Sequence, residues 1–278
     1  MTRAPVAILI TGASAGLGRA LALAYAAPGV TLFLTALDAE PLQSVEAACR
    51  ARGASVVWRV LDVLDRAAMA DWIASCDRTA AIDLVIANAG ISAGSLGADG
   101  EDDAATRAIF ATNVDGVLNT VLPAAAAMRA RGRGQLALVS SLAGYRGTRR
   151  SAAYCASKAA VRVFGEGLRA RLAPAGLGVS VVCPGYLDVG STSMRHRDSP
   201  FRVGVERAVR AIRRGLARNR GWIAVPWWLS LVARLGTLLP SCCWDWIECL
   251  RGAKARSRGA DGGRSGRAGP GTCAMQPK

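Results

Sequence analysis

The chain has 278 residues, 51% of them hydrophobic and 20% charged, with a formal net charge of +15. That length and apolar content are ample for one large α/β domain with its own core, followed by a tail. The basic excess does not make the whole chain a nucleic-acid binder, because residues 1–200 hold 20 Lys/Arg against 16 Asp/Glu while residues 201–278 hold 15 against 4.

Short β-branched or aliphatic runs alternate with longer alanine-rich stretches of helical period. In chain order the runs are PVAILIT, VTLFLTA, ASVVWRVL, IDLVIAN, GQLALVSS, LGVSVVCP and GWIAVP. Helices are expected between them at 17–27, 39–52, 66–78, 101–131, 151–173 and 204–219. Strands apolar on both alternations are strands buried on both faces, so about seven of them in this rhythm predict a parallel sheet with helices on either side. The apolar run after Met1 is too short for a signal peptide and reads as the first strand.

Eight cysteines include no C-x-x-C pair, and His196 is the only histidine, so no metal-ligand cluster is expected. Free thiols fit a reducing cytoplasm. Of the 35 cations only Lys158, Lys254 and Lys278 are lysines, which makes Lys158 a pointed choice.

Gly12, Gly16 and Gly18 fall between the first strand and the first helix. Glycines there let the backbone turn tightly and approach a pyrophosphate, whose charge then meets free N–H groups and the positive end of the helix dipole. Farther on, Tyr154 and Lys158 stand one helical turn apart, thirteen residues beyond Ser141 at a strand end. The ends of parallel strands are where open α/β sheets bind ligands, so the three can converge on one crevice.

The T-G-x-x-x-G-x-G turn resembles that of the ordinary single-domain short-chain dehydrogenase/reductases. Further matches follow in order: Asp62-Val63, Asn88-Ala89-Gly90, Asn113, Ser141, Tyr154 with Lys158, and Pro184-Gly185. The resemblance spans about residues 5–226 and implies a Rossmann-like doubly wound sheet. It implies a catalytic set of Asn113, Ser141, Tyr154 and Lys158, and a cofactor site of Gly12, Ser14, Gly16, Leu17, Gly18, Asp62, Val63, Asn88, Ala89, Gly90, Tyr154, Lys158, Pro184 and Gly185. Tyr154 would be the acid–base group for an alcohol/carbonyl pair, Ser141 would hold the reacting oxygen, and Lys158 would grip the nicotinamide ribose. Asn113 would anchor a water linking Lys158 to solvent. A tyrosine is a poor base near neutrality, but an ammonium and a cationic nicotinamide ring both favour its phenolate. The alternative is a catalytically idle dinucleotide-binding sensor or scaffold.

The resemblance also has departures. Ala15, Ala36 and Leu37 supply no cation for a 2′-phosphate and Asp38 would repel one, so between NAD(H) and NADP(H) the reading leans to NAD(H) unless Arg19 or Arg59 intervenes in space. Val189 stands where a threonine often contacts the nicotinamide carboxamide, with Ser191 or Thr192 as replacements. Cys155 lacks a nearby base and reads as a core residue, and His196 as part of a substrate lid at about 186–203.

Residues 1–226 are thus expected to be the dinucleotide-binding catalytic domain, 227–250 an apolar helical segment, and 251–278 a disordered basic tail. Five of the seven tryptophans lie between Trp222 and Trp246. That concentration fits a core or subunit interface, or else a peripheral contact with the inner face of a membrane through 222–250, since Arg234 interrupts a run too short to span one. A homo-oligomer and a small-molecule substrate are the expected partners. The tail lacks aromatic residues for base stacking, so no specific nucleic acid is expected.

Overall fold

A computed structural model of the chain describes residues 4–93, 101–188, 202–244 and 246. Residues 1–237 form one compact unit and residues 238–278 a second. The strands of the first unit are β1 (Ala7–Thr11), β2 (Thr31–Ala36), β3 (Ser55–Val60), β4 (Leu84–Ala87), β5 (Gly134–Val139), β6 (Leu177–Pro184), β7 (Leu187–Asp188), β8 (Val203–Gly204) and β9 (Trp222–Val225). Its α-helices are α1 (Gly16–Tyr25), α2 (Ala39–Arg50), α3 (Arg66–Thr79), α4 (Asp103–Phe110), α5 (Gly116–Ala130), α6 (Ala152–Leu172), α7 (Val205–Ala217) and α8 (Trp227–Gly236). A short 3₁₀ turn covers Leu142–Tyr145.

Seven strands form one parallel sheet in the order β3-β2-β1-β4-β5-β6-β9, and β7 pairs with β8 apart from it. The seven runs read from the sequence are the seven strands of this sheet. β1 is an interior strand, with Ile8 opposite Leu32 on one side and Leu84 on the other. Alternate residues serve opposite layers. Ile8 and Ile10 pack with Leu21, Leu42 and Ile212 from α1, α2 and α7, whereas Leu9 and Phe33 pack with Met69, Val121 and Val161 from α3, α5 and α6. Leu9 and Phe33 are 0% exposed, and burial of each such side chain contributes about 1.5–3 kcal/mol.

The single helix expected over 101–131 is divided. Between α4 and α5 the chain makes a π-helical turn, Ala111–Asp115, which carries Asn113. A widened turn of this kind re-aims one side chain without ending the helix. Here it is held by tertiary bonds: Asn113 Oδ1 accepts from Ile91 N (2.7 Å) and Nδ2 donates to Ile91 O (3.0 Å). Just beyond it, Gly116 admits Val63, whose Cγ2 would lie 2.6 Å from a Cβ at that position.

Helix α8 starts directly after β9. Arg146 from beyond the 3₁₀ turn reaches its C-terminal carbonyls, donating to Gly236 O (3.3 Å) and Thr237 O (3.4 Å). In the second unit the described residues include a helical turn at 241–244 with exposed Cys242 and Cys243. Val189, Ser191, Thr192, His196, most of the expected lid and the tail at 251–278 lie outside the described residues.

Candidate active site

Because every strand of the main sheet is parallel, the carboxyl ends of β1, β4, β5 and β6 share one edge, and the expected residues gather there. The turn after β1 is built for close approach. Gly12 and Gly16 adopt φ of +64° and +55°, a region where a Cβ is strained. Gly18 packs so tightly that a Cβ would fall 2.2 Å from Gly12 O. Ala15, the N-cap of α1, makes no side-chain cap bond, so the protein's own side chain does not block the helix start at that point. Ser14 is partly buried in the same turn and Leu17 is buried beneath it.

Thr11 and Asn88 fasten the turn to β4. Thr11 Oγ1 accepts from Asn88 N (3.0 Å) and Ala89 N (3.1 Å), and Asn88 Nδ2 donates to Thr11 O (3.0 Å) and Gly12 O (3.1 Å). Asn88 therefore shapes the cradle from behind. Gly90 has a stricter reason to be glycine: a Cβ there would stand 2.9 Å from Asn113 Oδ1 and 3.1 Å from Lys158 Nζ.

Asp62 and Val63 lie farther along the edge, after β3, which is four strand positions from β5, or roughly 19 Å at ~4.8 Å per strand. Asp62 is exposed and its carboxylate accepts from Leu64 N (2.9 Å), while Val63 is buried against α5. Asp38 is exposed at the start of α2 and makes no cap bond, and Leu37 is 63% exposed beside it. The charge of Arg19 reaches Cys49 on α2, and that of Arg59 reaches Cys76 on α3.

The candidate reacting groups sit where β5 meets α6. Ser141 follows β5, caps the 3₁₀ turn by accepting from Ala143 N (3.1 Å), and donates to Pro184 O (3.4 Å). Tyr154 on α6 lies near enough to Ser141 for the serine hydroxyl to act on its phenol. Lys158 is 4% exposed and donates from Nζ to Val139 O (3.1 Å), with Nζ 5.8 Å from the Tyr154 ring centre. Pro184 and Gly185 close the edge at β6, where Gly185 N donates to Val225 O (2.7 Å). Asn113, 0% exposed, joins the cluster indirectly: Nδ2 donates to Ser157 Oγ (3.0 Å), and Ser157 Oγ donates to Tyr154 O (2.8 Å).

The electrostatics of the pair run against the simple expectation for an ammonium beside a phenol. Burial pushes the Tyr154 hydroxyl upward, the Ser141 hydroxyl pulls it partly back, and Cys155 and Tyr186 raise it further. Burial also pushes Lys158 down to about 8, with Cys183 opposing. For each group the largest cause is its own loss of hydration, which disfavours the charged form. Cys155 is buried with its Sγ 3.8 Å from Thr148 Oγ1, in keeping with a core role.

Sequence spacing did not reveal four further contributors. Glu101 accepts from Ala153 N (2.6 Å) and Tyr154 N (2.9 Å), so it caps α6 where Ser151, the N-cap residue, makes no side-chain bond. Ser140 Oγ donates to Lys158 O (2.7 Å), Ser157 links Asn113 to Tyr154, and Thr11 braces the glycine turn. Glu101 lies 52 residues from the helix end it caps, so no local pattern could signal it.

A family model described as short chain dehydrogenase matches residues 6–200. A Myxococcus xanthus protein described as an uncharacterized oxidoreductase is 37% identical over 238 residues, covering 85% of this chain and 94% of its own. Among solved structures, a short chain dehydrogenase from Mycobacterium paratuberculosis bound to NAD has a TM-score of 0.69 at 24% identity, covering 78% of this chain and 95% of its own. A short-chain dehydrogenase from Sphingobium yanoikuyae in complex with NADPH has a TM-score of 0.71 at 22% identity, covering 97% and 99%. At those identities the two structures speak for the fold.

Proposed function

Since the chain belongs to the short chain dehydrogenase family, we propose that it is an NAD(P)-dependent oxidoreductase that interconverts an alcohol and a ketone or aldehyde, with Tyr154 as the acid–base group. The observation that carries this reading is the gathering of Ser141, Tyr154 and buried Lys158, its Nζ 5.8 Å from the Tyr154 ring centre, on the same sheet edge as the glycine turn. Gly12, Ser14, Gly16, Leu17 and Gly18 would hold the pyrophosphate at the middle of the cofactor, with Asn88, Ala89 and Gly90 beside it, Asp62 and Val63 toward its adenine end, and Lys158, Pro184 and Gly185 toward its nicotinamide end. When bound, the dinucleotide supplies the hydride acceptor or donor, and its oxidised ring supplies a positive charge.

The chain's own part is to place and move a proton. In the oxidative direction Tyr154 Oη takes the proton of the substrate hydroxyl; in the reductive direction it gives one to the carbonyl oxygen. Ser141 Oγ, which donates to Pro184 O at a long 3.4 Å, turns its hydrogen to the same oxygen and fixes it. Lys158, with its proton held only to about 8, is poised to exchange that proton near neutral pH, and Asn113 would anchor the water that resupplies it. Exposed Asp38 beside apolar Leu37 favours the unphosphorylated cofactor, NAD(H).

Tyr154→Phe keeps the ring and removes only the transferable proton. Turnover should fall by about 10²–10⁴-fold while dinucleotide affinity, read by calorimetry, stays within a few-fold. Unchanged turnover would overturn the assignment. An idle sensor shares the cradle and would bind dinucleotide with no turnover of any alcohol or ketone by the unaltered protein.

A further inference from the structure

We propose that α8, together with the adjoining face of α7, is a docking surface for an anionic lipid bilayer, with the protein lying on the membrane and not crossing it. Helix α8 keeps its apolar side out of the protein: Trp227, Trp228, Leu231, Val232 and Leu235 are 68%, 42%, 48%, 56% and 64% exposed. At positions i, i+1, i+4, i+5 and i+8 they make one stripe. Five large apolar side chains on three turns exceed the scattered exposure normal for a protein surface. Among the described residues no helix is long and apolar enough to cross a membrane, and ten residues at 1.5 Å rise cover only about half of a hydrocarbon core.

The neighbouring charge says what covers the stripe. Arg207, Arg210 and Arg214 of α7 line a groove of about 420 Å³ with Pro226, Trp227 and Trp228. Spaced i, i+3 and i+7, they share one exposed face. Over residues 205–220 there are six arginines against Glu206 alone, and Glu206 approaches Arg210 only to 3.9 Å. Tryptophans beside a guanidinium row match the two strata of a bilayer surface: indoles at headgroup depth and cations against lipid phosphates. A two-fold contact with a second copy would set this patch against itself and bring like charges together.

The test is co-sedimentation of the full chain with vesicles of phosphatidylcholine alone and of phosphatidylcholine with phosphatidylglycerol. The unaltered protein should bind the anionic vesicles, bind neutral ones at least tenfold less, and be released by high salt. Leu231→Asp with Leu235→Asp, and separately Arg210→Glu with Arg214→Glu, should each weaken binding roughly tenfold or more while leaving turnover and melting temperature unchanged. No binding of the unaltered protein overturns the proposal. So does full binding by either double variant, which would assign attachment to the basic residues beyond 250. A change of the Leu→Asp protein to a smaller species in sedimentation velocity, with no vesicle binding by the parent, assigns the face to a second copy instead.

Discussion

Lys158 is the residue whose burial can be read most directly in solution. Its proton leaves at about 8 in the folded chain, against 10.5 for an ordinary lysine. Below pH 8 both folded and unfolded chains carry the charge, and the folded one bears the full burial penalty. Between about 8 and 10.5 the unfolded chain still holds a proton that the folded chain has released, so stability rises with pH across that window. Buried thiols act the other way above pH 9, since Cys183 and Cys76 are raised from 9.0 to about 11 and about 12. Lys158→Met cancels those shared contributions: the unaltered protein should gain on the variant by a total on the order of 3 kcal/mol between pH 8 and 10.5, as read by urea unfolding in parallel. A flat difference would mean that Lys158 is hydrated. The convergence of Ser141, Tyr154 and Lys158 was legible in the sequence, but the direction of these shifts was not. It depends on how completely β5, α6 and the 3₁₀ turn exclude water, and spacing does not report that.

At the scale of elements, α6 carries Tyr154 and Lys158 of the proposed mechanism, and its first turn depends on a carboxylate borrowed from before α4. Glu101→Ala leaves the N–H groups of Ala153 and Tyr154 without their acceptor. Such a loss costs about 1 kcal/mol, and turnover should drop several-fold with cofactor affinity unchanged. Glu101→Gln, which keeps an accepting oxygen, should recover most of it; melting curves and steady-state kinetics on both variants decide. The strands were legible because burial on two faces writes itself as unbroken apolar runs, as in LVIA of β4, buried throughout. The π-turn was not legible. It is held by bonds from Asn113 to Ile91 and Ser157, 22 and 44 residues away, and its local composition reads as ordinary helix. The two-residue pair β7–β8 is too short to leave any period at all.

Across the whole molecule, α4, α5 and α6 each leave a large apolar side chain exposed. Phe110, Leu122 and Val163 are 40%, 43% and 57% exposed. These side chains support the proposal of a homo-oligomer, and they lie on different helices from the lipid-facing stripe. Val163→Asp, on the outer side of α6, should shift the protein to a smaller species in sedimentation velocity without unfolding it. A distribution identical to the unaltered protein's would remove α6 from any interface.

The end of the sheet carries one more implication. Ser141 Oγ holds Pro184 O, the next residue's N–H holds Val225 O, and Pro226 then opens α8. Ser141 is thus tethered by two hydrogen bonds and two peptide bonds to the residue that caps α8. The clip between β6 and β9 is therefore one of the supports that set the position of Ser141. Loosening this rim strand would show first as a poorly aimed serine, well before the fold itself gave way.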